Sequence, residues 1–125
     1  MEFMLGFQVL SDAALYLTGK LDYLTDNHNV FTQNVAHIET PGYKSKILEF
    51  DGFIDKEKNQ PGDVKFAVEA TLKDDPTAKS KPNGNSVTME DQVAKMTNNS
   101  VEYMLAIESM KKHLALMKLA VDQRG

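Results

Sequence analysis

The chain has no cysteine. Disulfides, thiolate nucleophiles and thiolate metal sites are therefore all excluded. It also lacks an excess of positive charge: 14 Lys and Arg stand against 18 Asp and Glu, for a net charge of −4 and a pI near 5.3. Without a basic stripe, nucleic acid is not an expected partner. No apolar run approaches the roughly 20 residues that span a bilayer, so direct lipid insertion is not expected either. The opening Met1–Phe7 puts an acid where a secretory leader carries positive charge, and no small-residue cleavage site follows. Any route out of the cytoplasm is expected to be one that reads no cleavable signal.

Catalytic patterns are missing as well. There is no glycine-rich dinucleotide or phosphate loop and no nucleophile elbow. His28, His37 and His113 do not have metal-ligand spacing. Glu49, Asp51, Asp55 and Glu57 lack the alternation and sixth-place glycine of a calcium loop. The expectation is no enzyme, no catalytic residues, no metal and no cofactor.

What the sequence does contain is heptad periodicity. Leu10, Ala14, Leu17, Leu21, Leu24, His28, Phe31, Val35 and Ile38 advance by fours and threes. That 3.5-residue period marks a coiled-coil seam on a helix from about 11 to 39. A second run, Met89, Val93, Met96, Ser100, Tyr103, Ile107, Met110, Leu114, Met117 and Val121, does the same. Thr88-Met89-Glu90-Asp91 opens it as a near capping box, and Lys111, Lys112 and Lys118 suit the negative end of its dipole. The fold expected is mainly α, an antiparallel coiled coil of two long terminal helices with an irregular, partly β middle.

The boundaries follow. Residues 1–9 are expected to be a mobile N-terminal segment, 10–43 and 87–123 a discontinuous coiled-coil domain, and 44–86 an insert. Within the insert, Ile47, Leu48, Phe50, Phe53 and Ile54 suggest a short helical turn. Asn59-Gln60-Pro61-Gly62-Asp63 reads as a turn, and Val64 to Leu72 alternates as a strand. One strand needs a partner, from this segment or from another molecule. Lys73–Asn85, with Pro76, Pro82 and Gly84, reads as a flexible loop.

The intrachain seam is assigned to Leu17, Leu21, Leu24, Phe31, Val35 and Ile38 on the first helix. Val93, Met96, Tyr103, Ile107, Met110, Leu114 and Met117 take that role on the second. Both helices carry further apolar residues off the seam: Tyr16, Tyr23 and Val30 on the first, Val101, Met104, Leu105, Leu116 and Leu119 on the second. A helix apolar on more than one stripe is normally buried by more than one neighbour. The middle segment has no third long helix. Tyr16, Tyr23, Val30, Val101, Leu105, Leu116 and Leu119 are thus assigned to an assembly interface.

Between the first helix and the insert the chain must turn. Thr40-Pro41 stops the helix, because proline disfavours the α region for the residue before it. Pro41-Gly42 suits a type II turn, whose second central residue needs φ > 0. The full string Asn34-Val35-Ala36-His37-Ile38-Glu39-Thr40-Pro41-Gly42-Tyr43-Lys44 resembles the Asn-Ile-Ala-Asn-x-x-Thr-Pro-Gly-Tyr-Lys signature of bacterial flagellar rod and hook proteins. Asn34, Ala36, Thr40, Pro41, Gly42, Tyr43 and Lys44 match it, and His37 replaces its second Asn. Gly84–Glu90, Met96–Tyr103 and Leu116–Val121 are similar to the last helix of proximal rod proteins of the flagellar basal body.

The resemblance covers about 10–50 and 83–121. It implies a non-enzymatic rod subunit, exported by the flagellar type III apparatus without a cleaved signal and resident in the periplasmic rod. Its implied partners are copies of itself, other rod proteins, and membrane-ring and export-gate components. The alternative class is a standalone helical hairpin that acts as a binding or chaperone module.

Overall fold

In the computed structural model the elements run α1 (Glu2–Ala36), β1 (Lys46–Glu57), β2 (Val64–Asp74) and α2 (Met89–Arg124). The structure describes residues 2–57 and 64–124, with side chains for 12–51 and 69–122. The expected turn at 59–63 lies outside the described residues. Because α1 begins at Glu2, the backbone of 2–9 is helical and continuous with the heptad helix. The fold is mainly helical with a two-stranded antiparallel sheet in the middle.

The helices pair antiparallel. Asn27 meets Asn99 and Asn34 meets Gln92, so seven residues forward on α1 (34 − 27) are seven backward on α2 (99 − 92). Ten of the thirteen residues assigned to the seam are at least half-buried. Leu17, Leu24 and Phe31 are buried on α1, while Leu21, Val35 and Ile38 are half-buried. On α2 the buried residues are Gln92, Asn99 and Ala106, seven apart; Met96, Ile107, Met110 and Met117 are half-buried. Val93, Tyr103 and Leu114, assigned to the seam, are exposed, Val93 at 51%.

The correction has one cause. On both helices one heptad column was placed one residue too far along, because the true column is polar: Asn27 and Asn34 on α1, Gln92 and Asn99 on α2. These amides lie in the interface because each finds a partner there, which removes most of the cost of burying it. Asn27 Nδ2 donates to Asn99 Oδ1 at 3.1 Å, and Asn99 Nδ2 donates to Leu24 O at 2.9 Å.

The apolar run Ile47–Ile54, expected to turn helically, lies within strand β1. It pairs with β2 from Lys46↔Asp74 to Glu57↔Val64, with a bulge at Asp51 between Phe50 and Gly52. The sequence of β2 already read as a strand. A lone strand is unstable, and the nearest β-branched and aromatic segment supplies its mate. Both strands lie against α1 and, among the described residues, neither contacts α2. Tyr23 anchors them: its ring meets Phe50 edge-on at 5.2 Å and its hydroxyl donates to Leu48 O at 3.1 Å.

Candidate functional site

Where α1 ends, β1 begins and α2 begins, the three backbones are tied by a buried polar network. The helix stops at Ala36, as Thr40-Pro41 requires. Tyr43 N then donates to Thr40 O at 3.2 Å with Gly42 at φ 75°. This is the expected i to i+3 turn, with Pro41 and Gly42 at its centre. A second turn is stacked on it. Gly84, at φ 81°, closes Lys81-Pro82-Asn83-Gly84 through Gly84 N to Lys81 O at 2.8 Å. The two turns meet backbone to backbone: Gly42 N donates to Asn83 O at 3.0 Å, and a Cβ on Gly84 would stand 3.3 Å from Gly42 Cα.

Asn34 is the centre of the network, and it is fully buried. Its Nδ2 donates to Lys46 O at 2.8 Å and to Gln92 Oε1 at 3.1 Å. Its Oδ1 accepts from Lys46 N at 3.0 Å and from the Tyr43 hydroxyl at 3.2 Å. One amide thus fixes the first residue of β1 relative to α2. Gln92 Nε2 continues to Ser45 Oγ at 3.1 Å, and Ser45 N donates to Ser86 Oγ at 2.7 Å.

Asn85 caps the end of α1. A helix end leaves carbonyls without partners, and Asn85 Nδ2 donates to two beyond it, His37 O at 2.8 Å and Thr40 O at 2.7 Å. Its Oδ1 accepts from Val87 N at 2.7 Å, which leads the chain into α2. Lys44 Nζ donates to Ser80 Oγ and Gly84 O, both at 2.9 Å. His37, the departure from the family signature, stacks on Tyr43 with centroids 4.6 Å apart and planes 14° apart. Thr40 and Pro41 are exposed, and Ala36 is exposed at the last helical position.

Thus the segment read as a loop at 73–85 is a strand end followed by a hydrogen-bonded strap. Asp75 holds its near end. It is buried, its Oδ1 accepts from Thr77 N at 2.9 Å and Thr77 Oγ1 at 2.7 Å, and Lys95 on α2 reaches its Oδ2. Burial pushes the Asp75 carboxyl up, but the hydrogen bonds from Lys95 and Thr77 outweigh it and hold the pKa below its ordinary value. Burial likewise pulls Lys95 down, and Asp75 together with Asp91 more than reverses this, so its pKa is raised. The Tyr23 hydroxyl is raised by burial and by the nearby Glu102 charge.

The residues assigned to assembly divide. Tyr23 is half-buried because the chain's own hairpin covers it, a correction to its role; Val30 is also half-buried. A hairpin laid on that face of α1 was not legible while the partner strand was unrecognised. Tyr16, Val101, Leu105, Leu116 and Leu119 are exposed, Leu105 at 62%. The sequence analysis placed Asp75 and Asn85 in a flexible loop and assigned no role to Ser45, Ser86 or Gln92. For Ser45, Asn85 and Ser86 the only signal was the density of Asn and Ser beside proline-glycine turns.

Among the described residues no group of three His, Asp or Glu is placed to hold a metal, and no helix is long and apolar enough to cross a membrane. The network fixes angles between segments, and exposed apolar stripes lie outside it. This defines a class, the helical hairpin with a hydrogen-bonded turn and exposed apolar helix faces. No family model matches the chain. It is 25% identical over 91 residues, 65% of this chain and 70% of the relative, to the flagellar basal body rod protein FlgB of Bacillus subtilis (strain 168). It is 24% identical over 98 residues, 69% of this chain and 74% of the relative, to the flagellar basal body rod protein FlgB of Aeromonas hydrophila. Together these relatives support a flagellar basal-body rod family for the chain, at modest identity.

Proposed function

We propose that this chain is a non-enzymatic structural subunit of the flagellar basal-body rod. It polymerises with copies of itself and with other rod proteins into the hollow shaft between the membrane ring and export gate and the distal rod. In this reading it leaves the cytoplasm through the flagellar export apparatus and resides in the periplasmic rod. The observation that carries the reading is the apolar surface left on α2, where Val101, Leu105, Leu116 and Leu119 are all about half exposed or more. They form two pairs on one face of α2, Val101 with Leu105 and Leu116 with Leu119, and exposed apolar surface of this kind favours an interaction site. The likeness to two rod proteins supports rod assembly as the kind of interaction.

The turn has a mechanical role here. A subunit that transmits torque needs its middle segment held at a fixed angle to the helix pair, and Asn34 with the Pro41-Gly42 turn provides that angle. Replacing Pro41-Gly42 by Ala-Ala removes the φ > 0 residue and the helix stop. In a rod-deficient host complemented with this variant, rod assembly and swimming should be lost, while the unaltered chain restores both and is found in purified basal bodies. Normal motility of the variant, or absence of the unaltered chain from basal bodies, would overturn the proposal. A chain that stays monomeric with every rod protein present would instead favour the free-standing binding module.

A further inference from the structure

Asn83-Gly84 is the only Asn-Gly step in the chain, and such a step carries its own chemistry. The backbone nitrogen that follows an asparagine can attack the side-chain amide, and glycine, having no Cβ, leaves that approach open. Here the two residues stand at the tip of the strap, with Asn83 exposed to water. The peptide plane between them is nevertheless pinned at both edges. Asn83 O accepts from Gly42 N at 3.0 Å, and Gly84 N donates to Lys81 O at 2.8 Å. The side chain is held too, since Asn83 Oδ1 accepts from Asn85 N at 3.0 Å. No described residue other than glycine has φ > 0, so the Lys81–Gly84 turn is type I, whose third residue has ψ of roughly 0°. That angle turns Gly84 N toward the backbone nitrogen of Asn83 and away from its Cβ. For Gly84 N to reach Asn83 Cγ the plane must rotate, and rotation breaks both of its hydrogen bonds together.

We propose that Asn83 is a site of spontaneous deamidation that the stacked turns hold closed, so that it reacts only in chains whose turns have opened. Once the plane is free, Gly84 N bonds to Asn83 Cγ and closes a succinimide ring. The bond from Cγ to Nδ2 breaks, and ammonia departs with the proton that Gly84 N gives up, which makes the step irreversible. Water then opens the ring at either carbonyl. One opening leaves an ordinary aspartate at position 83; the other leaves an isoaspartate, whose main chain runs through the former side chain. In the isoaspartate the carbonyl that met Gly42 N has become a carboxylate, and the turn has gained a main-chain carbon. Neither the closure onto Lys81 O nor the stacking on Gly42 is then reproduced. A closed turn reacts at the intrinsic rate multiplied by the fraction of time it is open. The network sets that fraction, because Asn85, next along the strap, is tied to His37 O and Thr40 O. A chain left open is thereby marked and kept from closing, while a closed one is spared.

The test incubates the full chain at mildly alkaline pH, in buffer and in guanidinium chloride above its unfolding midpoint, and follows tryptic digests by mass spectrometry. Trypsin does not cut before proline, so Asn83 is read in the peptide 80–95, with Asn85 beside it as an internal comparison. Conversion of Asn83 to an acid should be at least about tenfold slower in buffer than in denaturant, as a reaction through local opening requires. In denaturant Asn83 should react well before Asn85, and Gly84→Ala, whose methyl hinders the approach, should slow it about tenfold. Two variants loosen the strap in buffer. Gly42→Ala strains the turn that holds Asn83 O, and Lys44→Met, at an exposed position, releases Gly84 O. Either, with circular dichroism like that of the parent, should speed the reaction severalfold. Asn83→Asp, with the same charge on an ordinary backbone, should refold with the parent's urea midpoint, whereas chains aged to isoaspartate in denaturant should refold with a lower one. Equal rates in buffer and denaturant, unaltered rates in both loosened variants, or a parental midpoint for the isoaspartyl chains would overturn the proposal.

Discussion

Truncating Asn34 to alanine tests whether the buried amide holds the turn. The side chain makes four hydrogen bonds, two to the backbone of Lys46, one to Gln92 Oε1 and one from the Tyr43 hydroxyl. Gln92 is fully buried and keeps only its bond to Ser45; Tyr43 is half-buried and can turn toward water. Three bonds are thus lost without replacement. At about 1 kcal/mol each, and more where a partner is left unsatisfied, the loss comes to about 3–4 kcal/mol. That is a large share of the roughly 5–15 kcal/mol that stabilises a domain. Urea unfolding of the full chain should show it as a lower midpoint at unchanged slope. Gln33→Ala, one residue away and exposed, should stay within about 0.5 kcal/mol of the parent. Asn34→Asp is the sharper probe: it keeps an acceptor for Lys46 N but sets a carboxylate oxygen against Lys46 O and Gln92 Oε1. It should lose at least as much as alanine at neutral pH. A loss under about 1 kcal/mol for Asn34→Ala, within the range of ordinary surface changes, would refute the reasoning.

The two stacked turns should respond unequally. Gly42→Ala must adopt φ 75° in open space, whereas Gly84→Ala must adopt φ 81° and also place a Cβ 3.3 Å from Gly42 Cα. The first should cost about 1–2 kcal/mol and the second more, read as the order of their melting temperatures. On the acid side, the Asp75 carboxyl is lower in the folded state than in the unfolded one. Its contribution is therefore present above the unfolded value of about 3.9 and lost as pH falls through the folded one. Lys95 is raised, so its part is complete below about 10.4 and lost as pH rises through its folded value. Asp75→Asn should remove this acid-side dependence in a pH series of urea midpoints. Finally, Leu105→Glu should leave the isolated chain's stability within about 0.5 kcal/mol, because the site is 62% exposed, yet abolish rod incorporation in a complementation assay.

The sequence made the helices, β2 and the turn legible for separate physical reasons. Long heptads leave little choice of element, alternation from Val64 names a strand, and Pro41-Gly42 can close only a narrow set of turns. The strand β1 was not legible, because Ile47, Leu48, Phe50, Phe53 and Ile54 satisfy either period over so short a run. Its pairing with β2 decided the matter, and pairing is a tertiary fact. With the hairpin unrecognised, Tyr23 looked like a surface waiting for a neighbour. The site was half legible. Asn34, Pro41, Gly42 and Tyr43 stood out as a string, but Gln92, Asn85 and Ser45, which complete the network, lie 58, 51 and 11 residues from Asn34 (92 − 34, 85 − 34 and 45 − 34), and no local pattern joins them.

The displaced seam links these two failures to function. Hydrophobic periodicity locates where apolar surface is to be buried, whoever buries it, and a helix with several neighbours shows the sum of its contacts. In this chain the sum points between the partner helix and the open flank, so the direction read from the sequence lies between the buried contact and the exposed apolar side chains. Buried amides supply the missing component. Asn27 with Asn99 and Asn34 with Gln92 spend seam positions on hydrogen bonds, which fixes register at some loss of apolar burial. If all the apolar side chains faced inward, the pair would be a more stable monomer with nothing left to bind. Register written in amides and adhesion written in leucines are separable, so Asn99→Leu should strengthen the isolated pair less than its added apolar area implies, by leaving Asn27 and Leu24 O unpaired. Leu105→Ser should leave the pair intact and weaken only association. Sedimentation and urea midpoints on both variants distinguish the two roles; a common effect on both readouts would mean that the surfaces are one.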